Sequence, residues 1–156
     1  MLFAHGFGCD QNMWRFLTPS FANRYQIVLF DYVGSGKSDL SAYDAKRYGA
    51  LDGYAQDVLD ICAALDLHDV ILVCHSVSCV IGVLAADRAP ARFDRLLLTG
   101  PSASCLNDPP GSVGGFHRPS LAVTPQRTRT THAARLVCPP PPALHTPSLH
   151  AYTPIP

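Results

Sequence analysis

The sequence has no glutamate, so any carboxylate chemistry falls to its aspartates. Formal net charge is zero, which leaves no electrostatic footprint for nucleic acid or an acidic membrane surface. No apolar run approaches membrane-spanning length. The N-terminal MLFAHGFG lacks the basic region and long apolar core of a secretory signal. The 6 cysteines form no Cys-x-x-Cys pair, and several sit in apolar runs, where a free thiol behaves as a small hydrophobe. That usage points to a reducing, cytoplasmic setting rather than a disulfide framework. No metal or cofactor is expected.

Acid and glycine are also missing from residues 117–156, which carry Arg118, Arg127, Arg129 and Arg135 as their only charged side chains. This stretch is rich in proline, including Pro139, Pro140, Pro141 and Pro142. Proline removes backbone donors, and few apolar side chains remain to offset the entropy of ordering. Residues 117–156 are therefore expected to be disordered or extended. The proline run could dock in an aromatic groove as a polyproline helix; the plainer reading, a segment without function, is preferred, because the signal is only compositional. The abrupt change near residue 117 points to a shifted or aberrant reading frame.

Residues 1–116 have the pattern of an α/β domain. MLFA, QIVLF, DVILVC and RLLLTG are short apolar runs. Near-continuous apolar strands separated by helical patterns predict a parallel sheet covered on both faces. Leu51, Tyr54, Ala55, Val58, Leu59, Cys62 and Leu65 recur at helical spacing, which predicts a helix over 51–67. A second helix is expected over 77–87, ending before Pro90, and a shorter one around 12–21.

Gly34-Ser35-Gly36-Lys37-Ser38 looks like the end of a phosphate-binding loop. A Walker A loop needs a glycine five positions before Gly36, and Asp31 stands there. Its carboxylate would repel phosphate, and no helical period follows directly to supply the anion-binding terminus. A nucleotide site is rejected in favour of a Gly-rich turn after a strand.

The segment VILVCHSVSCVIG places His75-Ser76-Val77 between a buried strand and a helix of small and apolar residues. That is the setting of a nucleophile elbow, Gly-x-Ser-x-Gly, with Cys74 and Ser78 at the two small positions. Ser78 is tolerable there; Cys74 is bulkier than glycine and threatens to crowd the turn. An ordinary strand–helix junction capped by Ser76 or Ser78 fits the same residues. His5-Gly6-Phe7-Gly8 favours the elbow. Acyl transfer needs two backbone N–H groups aimed at the oxyanion. One follows the nucleophile, at Val77; the other comes from a loop after an earlier strand, at Phe7. His5 itself reads as a structural histidine.

HGFGCDQNMW, FDYVGSGKSDLSAYDAKRY, LDGYAQDVLDICAALDL, CHSVSCVIGVLAA, LNDPP and GGF occur in one order in a subfamily of α/β hydrolases. Over residues 1–116 the chain resembles RsbQ-type hydrolases, which regulate a stress sigma factor, and more distantly the plant strigolactone and karrikin receptors. The resemblance implies a partial α/β-hydrolase fold, a mostly parallel sheet with flanking helices, with the lid and C-terminal strands missing. It implies a serine hydrolase acting on a small ester or lactone-like ligand, with Ser76 as nucleophile and Phe7 and Val77 as backbone oxyanion donors. It also implies a regulatory phosphatase partner, and it assigns the loop from Asp31 to Ser38 to shaping the sheet edge.

The chain leaves the family pattern after GGF. The family's triad acid and histidine follow later strands, yet residues 117–156 hold no acid, and His117, His132, His145 and His150 sit among prolines. Asp108 is the remaining acid, unsupported by any motif. Met1 falls inside the family's third strand, so the preceding hairpin is expected to be missing and the strand order to be 4-3-5-6 in family numbering. Impaired catalysis follows as an expectation, with a non-catalytic partner-binding or signalling module, or a non-functional truncated product, as the alternative.

Overall fold

A computed structural model of the chain describes residues 1–101. Four strands form one sheet: β1 (Leu2–Ala4), β2 (Val28–Leu29), β3 (Val70–His75) and β4 (Phe93–Thr99), in the order β2-β1-β3-β4. All pairings are parallel. This is the family order 4-3-5-6 expected from sequence. The helices are α1 (Ala45–Tyr48), α2 (Leu51–Ala64) and α3 (Val77–Arg88). The expected 117–156 segment, Asp108 and the four histidines beyond residue 116 lie outside the described residues.

Strand alternation sorts the core. Leu2, Ala4, Leu72 and Cys74 share one face with Ala55, Val58 and Cys62 of α2 and Cys79, Ile81 and Ala85 of α3. Phe3 and Val73 point the other way and are covered by Trp14. Burying each such large side chain is worth about 1.5–3 kcal/mol, and β1 and β3, buried on both faces, need no polar alternation.

Three elements differ from the sequence reading, each for a local reason. α2 stops at Ala64, before the expected residue 67. Asp66 adopts φ 48°, Asp66 N–H donates to Ala63 O at 3.2 Å, and Leu67 N–H donates to Cys62 O at 2.8 Å. This is a Schellman ending with aspartate in the left-handed position usual for glycine, and it turns Leu67 back onto the core. The helix expected around 12–21 is two 3-10 turns, Gln11–Trp14 and Thr18–Ser20. Asp10 caps the first, and Pro19 sits in the opening turn of the second, where its missing N–H costs nothing. QIVLF contributes only a two-residue strand. Among the cysteines, Cys62, Cys74 and Cys79 are free and buried as expected; Cys9 is disulfide-bonded, against expectation. Among the described residues no helix is long and apolar enough to cross a membrane.

The loop after β2 is organised by Asp31. Its carboxylate accepts from Gln11 N–H at 2.7 Å, Gln11 Nε2 at 3.0 Å and Lys37 N–H at 2.9 Å. Gly36, at φ 51°, leaves room for that carboxylate, which a Cβ would strike. Ser38 Oγ closes the turn against Tyr32 O and Ser35 O, both at 2.6 Å. The glycines therefore serve an internal carboxylate. Burial alone would raise the Asp31 pKa, but the bonds from Lys37 and Gln11 hold it below the ordinary value. A depressed folded pKa contributes stability that is present above the unfolded value of 3.8 and is lost as pH falls through the folded one. Asp31→Ala is expected to lower unfolding free energy by about 1–3 kcal/mol at pH 7, because it removes the charged acceptor shared by the part-buried Gln11 donors and the exposed Lys37 N–H. It should also flatten the acid limb of a stability–pH curve below 3.8; an unchanged acid limb in denaturant titrations would contradict this assignment.

Candidate functional site

The site lies where the C-terminal ends of β1 and β3 meet the start of α3. Ser76 occupies the junction with φ 56° and ψ −121°. A non-glycine residue in that region costs on the order of 1–3 kcal/mol and persists only where its surroundings dictate it. Here Ser76 N–H donates to Thr99 O of β4 at 2.9 Å, and Ser76 O accepts from Cys79 N–H at 2.9 Å. The sheet holds one side of the residue and the helix the other. Val77 opens α3, so its N–H has no intrahelical acceptor, and the helix N-terminus favours negative charge beside it.

The loop carrying Phe7 abuts this turn. A Cβ added to Gly6 would lie 2.5 Å from His75 Nδ1 and 3.2 Å from Ser76 Cβ. Only glycine permits that approach. The sequence-predicted residues Phe7, Ser76 and Val77 thus belong to two segments in direct packing contact.

Both small positions of the elbow are occupied productively. Cys74 is fully buried, and a Cβ at Gly82 would lie 2.6 Å from its Sγ. Gly82, one turn and more along α3, provides the volume that the expected crowding required. Burial pushes the Cys74 thiol up to about 12, so it stays protonated and inert. Ser78 is fully buried; its hydroxyl bonds to His5 O and lies 3.1 Å from Tyr32 Oη.

His5 is a structural histidine, as expected. Tyr32 N–H donates to its Nε2 at 3.1 Å. A backbone N–H can only donate, so Nε2 carries no proton and the proton sits on Nδ1, which donates to Gly6 O at 2.9 Å. Burial lowers the His5 pKa and agrees with this neutral form. Asp31, 4.0 Å from Nε2, therefore faces an uncharged ring. His75 also has its pKa lowered, by burial first and by His5 second. Its ring stands edge-on to Trp14 with centroids 6.4 Å apart. Among the described residues no histidine bonds to Ser76 Oγ. Sequence reasoning missed Gly82 and Tyr32 as members of this site. The helical spacing of Gly82 from Ser78 was visible; its pairing with Cys74 across the strand–helix turn was not.

A family model described as alpha/beta hydrolase fold matches residues 1–137. The chain is 39% identical over 118 residues to a strigolactone esterase of Pisum sativum, covering 76% of this chain and 44% of that protein. It is 37% identical over 134 residues to a karrikin insensitive 2 receptor of Petunia hybrida, covering 86% of this chain and 49% of that one. A solved hydrolase from Oleispira antarctica superposes with a TM-score of 0.68 at 48% identity, covering 78% of this chain and 44% of that chain. The chain belongs to the α/β-hydrolase family. It spans about half the length of the curated relatives it matches.

The Cys74–Gly82 fit gives a test of the elbow's packing. Gly82→Ala should gain helix propensity of about 1 kcal/mol yet lose about 1–3 kcal/mol to overpacking against the thiol. Adding Cys74→Ala should relieve that clash, giving favourable coupling in a double-mutant cycle measured by urea unfolding. Additive effects, or a stabilised Gly82→Ala single variant, would remove the proposed contact.

Proposed function

We propose that this chain carries the nucleophile and oxyanion part of a serine hydrolase acting on a small ester or lactone-like ligand. Ser76 is the nucleophile, and the Phe7 and Val77 N–H groups are the oxyanion donors. The observation that carries the reading is the left-handed backbone of Ser76 between β3 and α3, with the Gly6 loop packed against it. A serine that only capped a helix would have extended backbone instead.

In the proposed reaction Ser76 Oγ attacks the ligand carbonyl carbon as its proton passes to a base. The carbonyl oxygen becomes an oxyanion and accepts from the two amides, and collapse expels the alkoxide. Both His5 nitrogens are engaged, so His5 is not that base. Beyond the described residues the chain offers Asp108 as its one acid and four histidines among prolines. We infer impaired catalysis from that composition, since a serine hydroxyl without a base is a weak nucleophile. Within the family we favour an RsbQ-like role with a regulatory phosphatase partner, on the motif resemblance over residues 1–116. Relatives named as a strigolactone esterase and a karrikin receptor support a small organic ligand. The second reading is a non-catalytic binding or signalling module, favoured by the lack of a histidine at Ser76 among the described residues and by the receptor named among its relatives.

The test is paired. The chain should turn over p-nitrophenyl acetate no faster than Ser76→Ala, while a fluorophosphonate probe should form one slow adduct, mapped to Ser76 by mass spectrometry. Ser76-dependent turnover would overturn the impairment, and absence of the adduct would overturn the nucleophile assignment.

A further inference from the structure

Two consecutive peptide planes lead from β1 to Phe7, and both are held by their carbonyls. The His5 carbonyl accepts from the Ser78 hydroxyl. The Gly6 carbonyl accepts from His5 Nδ1–H at 2.9 Å and from Cys9 N–H at 3.1 Å. A peptide group is planar and trans, so its C=O and N–H point in opposite directions. Fixing the Gly6 carbonyl therefore fixes the direction of the Phe7 N–H, which belongs to the same plane. Fixing the His5 carbonyl sets the plane before it.

The bonding sense around Ser78 follows from valence. A hydroxyl has one proton, and a carbonyl can only accept, so Ser78 O–H donates to His5 O. At the 3.1 Å contact Tyr32 O–H must then donate to Ser78 Oγ. Tyr32 N–H donates to His5 Nε2. Tyr32, Ser78 and His5 form a chain of bonds with one direction, ending at the carbonyls of the oxyanion loop. Such chains polarise their members in a low-dielectric interior, and all three residues are buried. Ser78 is also two residues after Ser76 on α3. It therefore ties the loop bearing one amide directly to the turn bearing the nucleophile.

We propose that Ser78 is a positioning residue of the oxyanion hole: by holding the His5 carbonyl it anchors the peptide plane immediately before the one that aims the Phe7 amide, and so the approach of that amide to Ser76. The proposal rests on the reading of Ser76, Phe7 and Val77 given above. It gives the second small position of the elbow a task that glycine there could not perform.

Ser78→Ala is compared with the unaltered chain and with Tyr32→Phe, which removes only the donor to Ser78. The first measurement is fluorophosphonate labelling of Ser76 at varied probe concentration. The maximal labelling rate of Ser78→Ala should fall about tenfold or more, a loss smaller than removal of a whole oxyanion donor. The half-saturating probe concentration should hold, and Tyr32→Phe should show a smaller loss of the same kind. Wild-type labelling rates in Ser78→Ala overturn the proposal, as does a loss confined to half-saturation. If the unaltered chain does not label, the nucleophile reading fails, and the second measurement decides the clamp on its own. In amide NMR spectra the Gly6 and Phe7 resonances should move in Ser78→Ala and move less in Tyr32→Phe; unmoved resonances overturn the proposal. Should Ser78→Ala not fold, Tyr32→Phe carries both measurements, with unchanged rate and unchanged resonances as the overturning result.

Discussion

The reversal of the backbone at Ser76 is the constraint on which this architecture turns. A residue at φ 56° and ψ −121° is unfavourable by itself, so its neighbours must supply more than it costs. They do so by continuing two regular structures up to its edges. The β3–β4 ladder runs to His75 paired with Thr99 and then adds the Ser76 N–H to the Thr99 carbonyl. The helix begins at the next residue and draws Cys79 N–H onto Ser76 O. Neither element alone would fix the turn; the strand sets its entry and the helix its exit. A junction built this way leaves the hydroxyl at the sheet rim, beside the end of a 12-residue helix.

Such a turn admits little bulk around it, and the chain meets that demand by displacement rather than by glycine. Where the elbow pattern has glycine before the serine, Cys74 stands, and the missing space reappears at Gly82 on the facing helix. Where the pattern has glycine after it, Ser78 stands, and its hydroxyl is satisfied by the His5 carbonyl and Tyr32. A second glycine, Gly6, brings the β1 loop against the turn from the other side. The space that Cys74 takes is returned at Gly82. Buried polar atoms so placed must be bonded, because an unmade bond there costs about 1–3 kcal/mol. The same bonds therefore fill the space and fix the loop.

Much of this was legible before any coordinates. Unbroken apolar runs mark strands, so VILVC and RLLLTG were found, although only the first is buried on both faces and β4 is half-buried to exposed along its length; the strand order followed from resemblance. The Ser76 turn was legible because apolar strand, small residues and apolar helix meet within a dozen residues. What escaped was decided at long sequence range. Asp31 bonds Gln11 at a separation of 20 residues, Ser78 reaches His5 across 73, and neither pairing leaves a periodic trace. The end of α2 escaped for the opposite reason. Asp66 and Leu67 lie within the amphipathic pattern, and only the left-handed φ of Asp66 separates helix from cap. Aspartate tolerates that conformation without advertising it as glycine does.

The two halves of the site also differ in what they ask of the chain. The amides of Phe7 and Val77 are backbone groups, so their placement depends on topology: β1 and β3 are neighbours in the sheet, paired from Leu2 with Leu72 to Ala4 with Cys74. Any sequence that preserves that pairing and the glycine approach brings the loop to the turn. A base is a side chain and depends on one particular residue reaching one particular oxygen. The residues between 5 and 78 commit their own imidazoles elsewhere, His5 to Tyr32 and Gly6 and His68 to Asp66, while His75 packs beside Trp14. The approach of the Gly6 loop to the Ser76 turn is thus intrinsic to the sheet. A proton acceptor for Ser76, by contrast, has to come from a side chain, and among the described residues no histidine bonds to Ser76 Oγ.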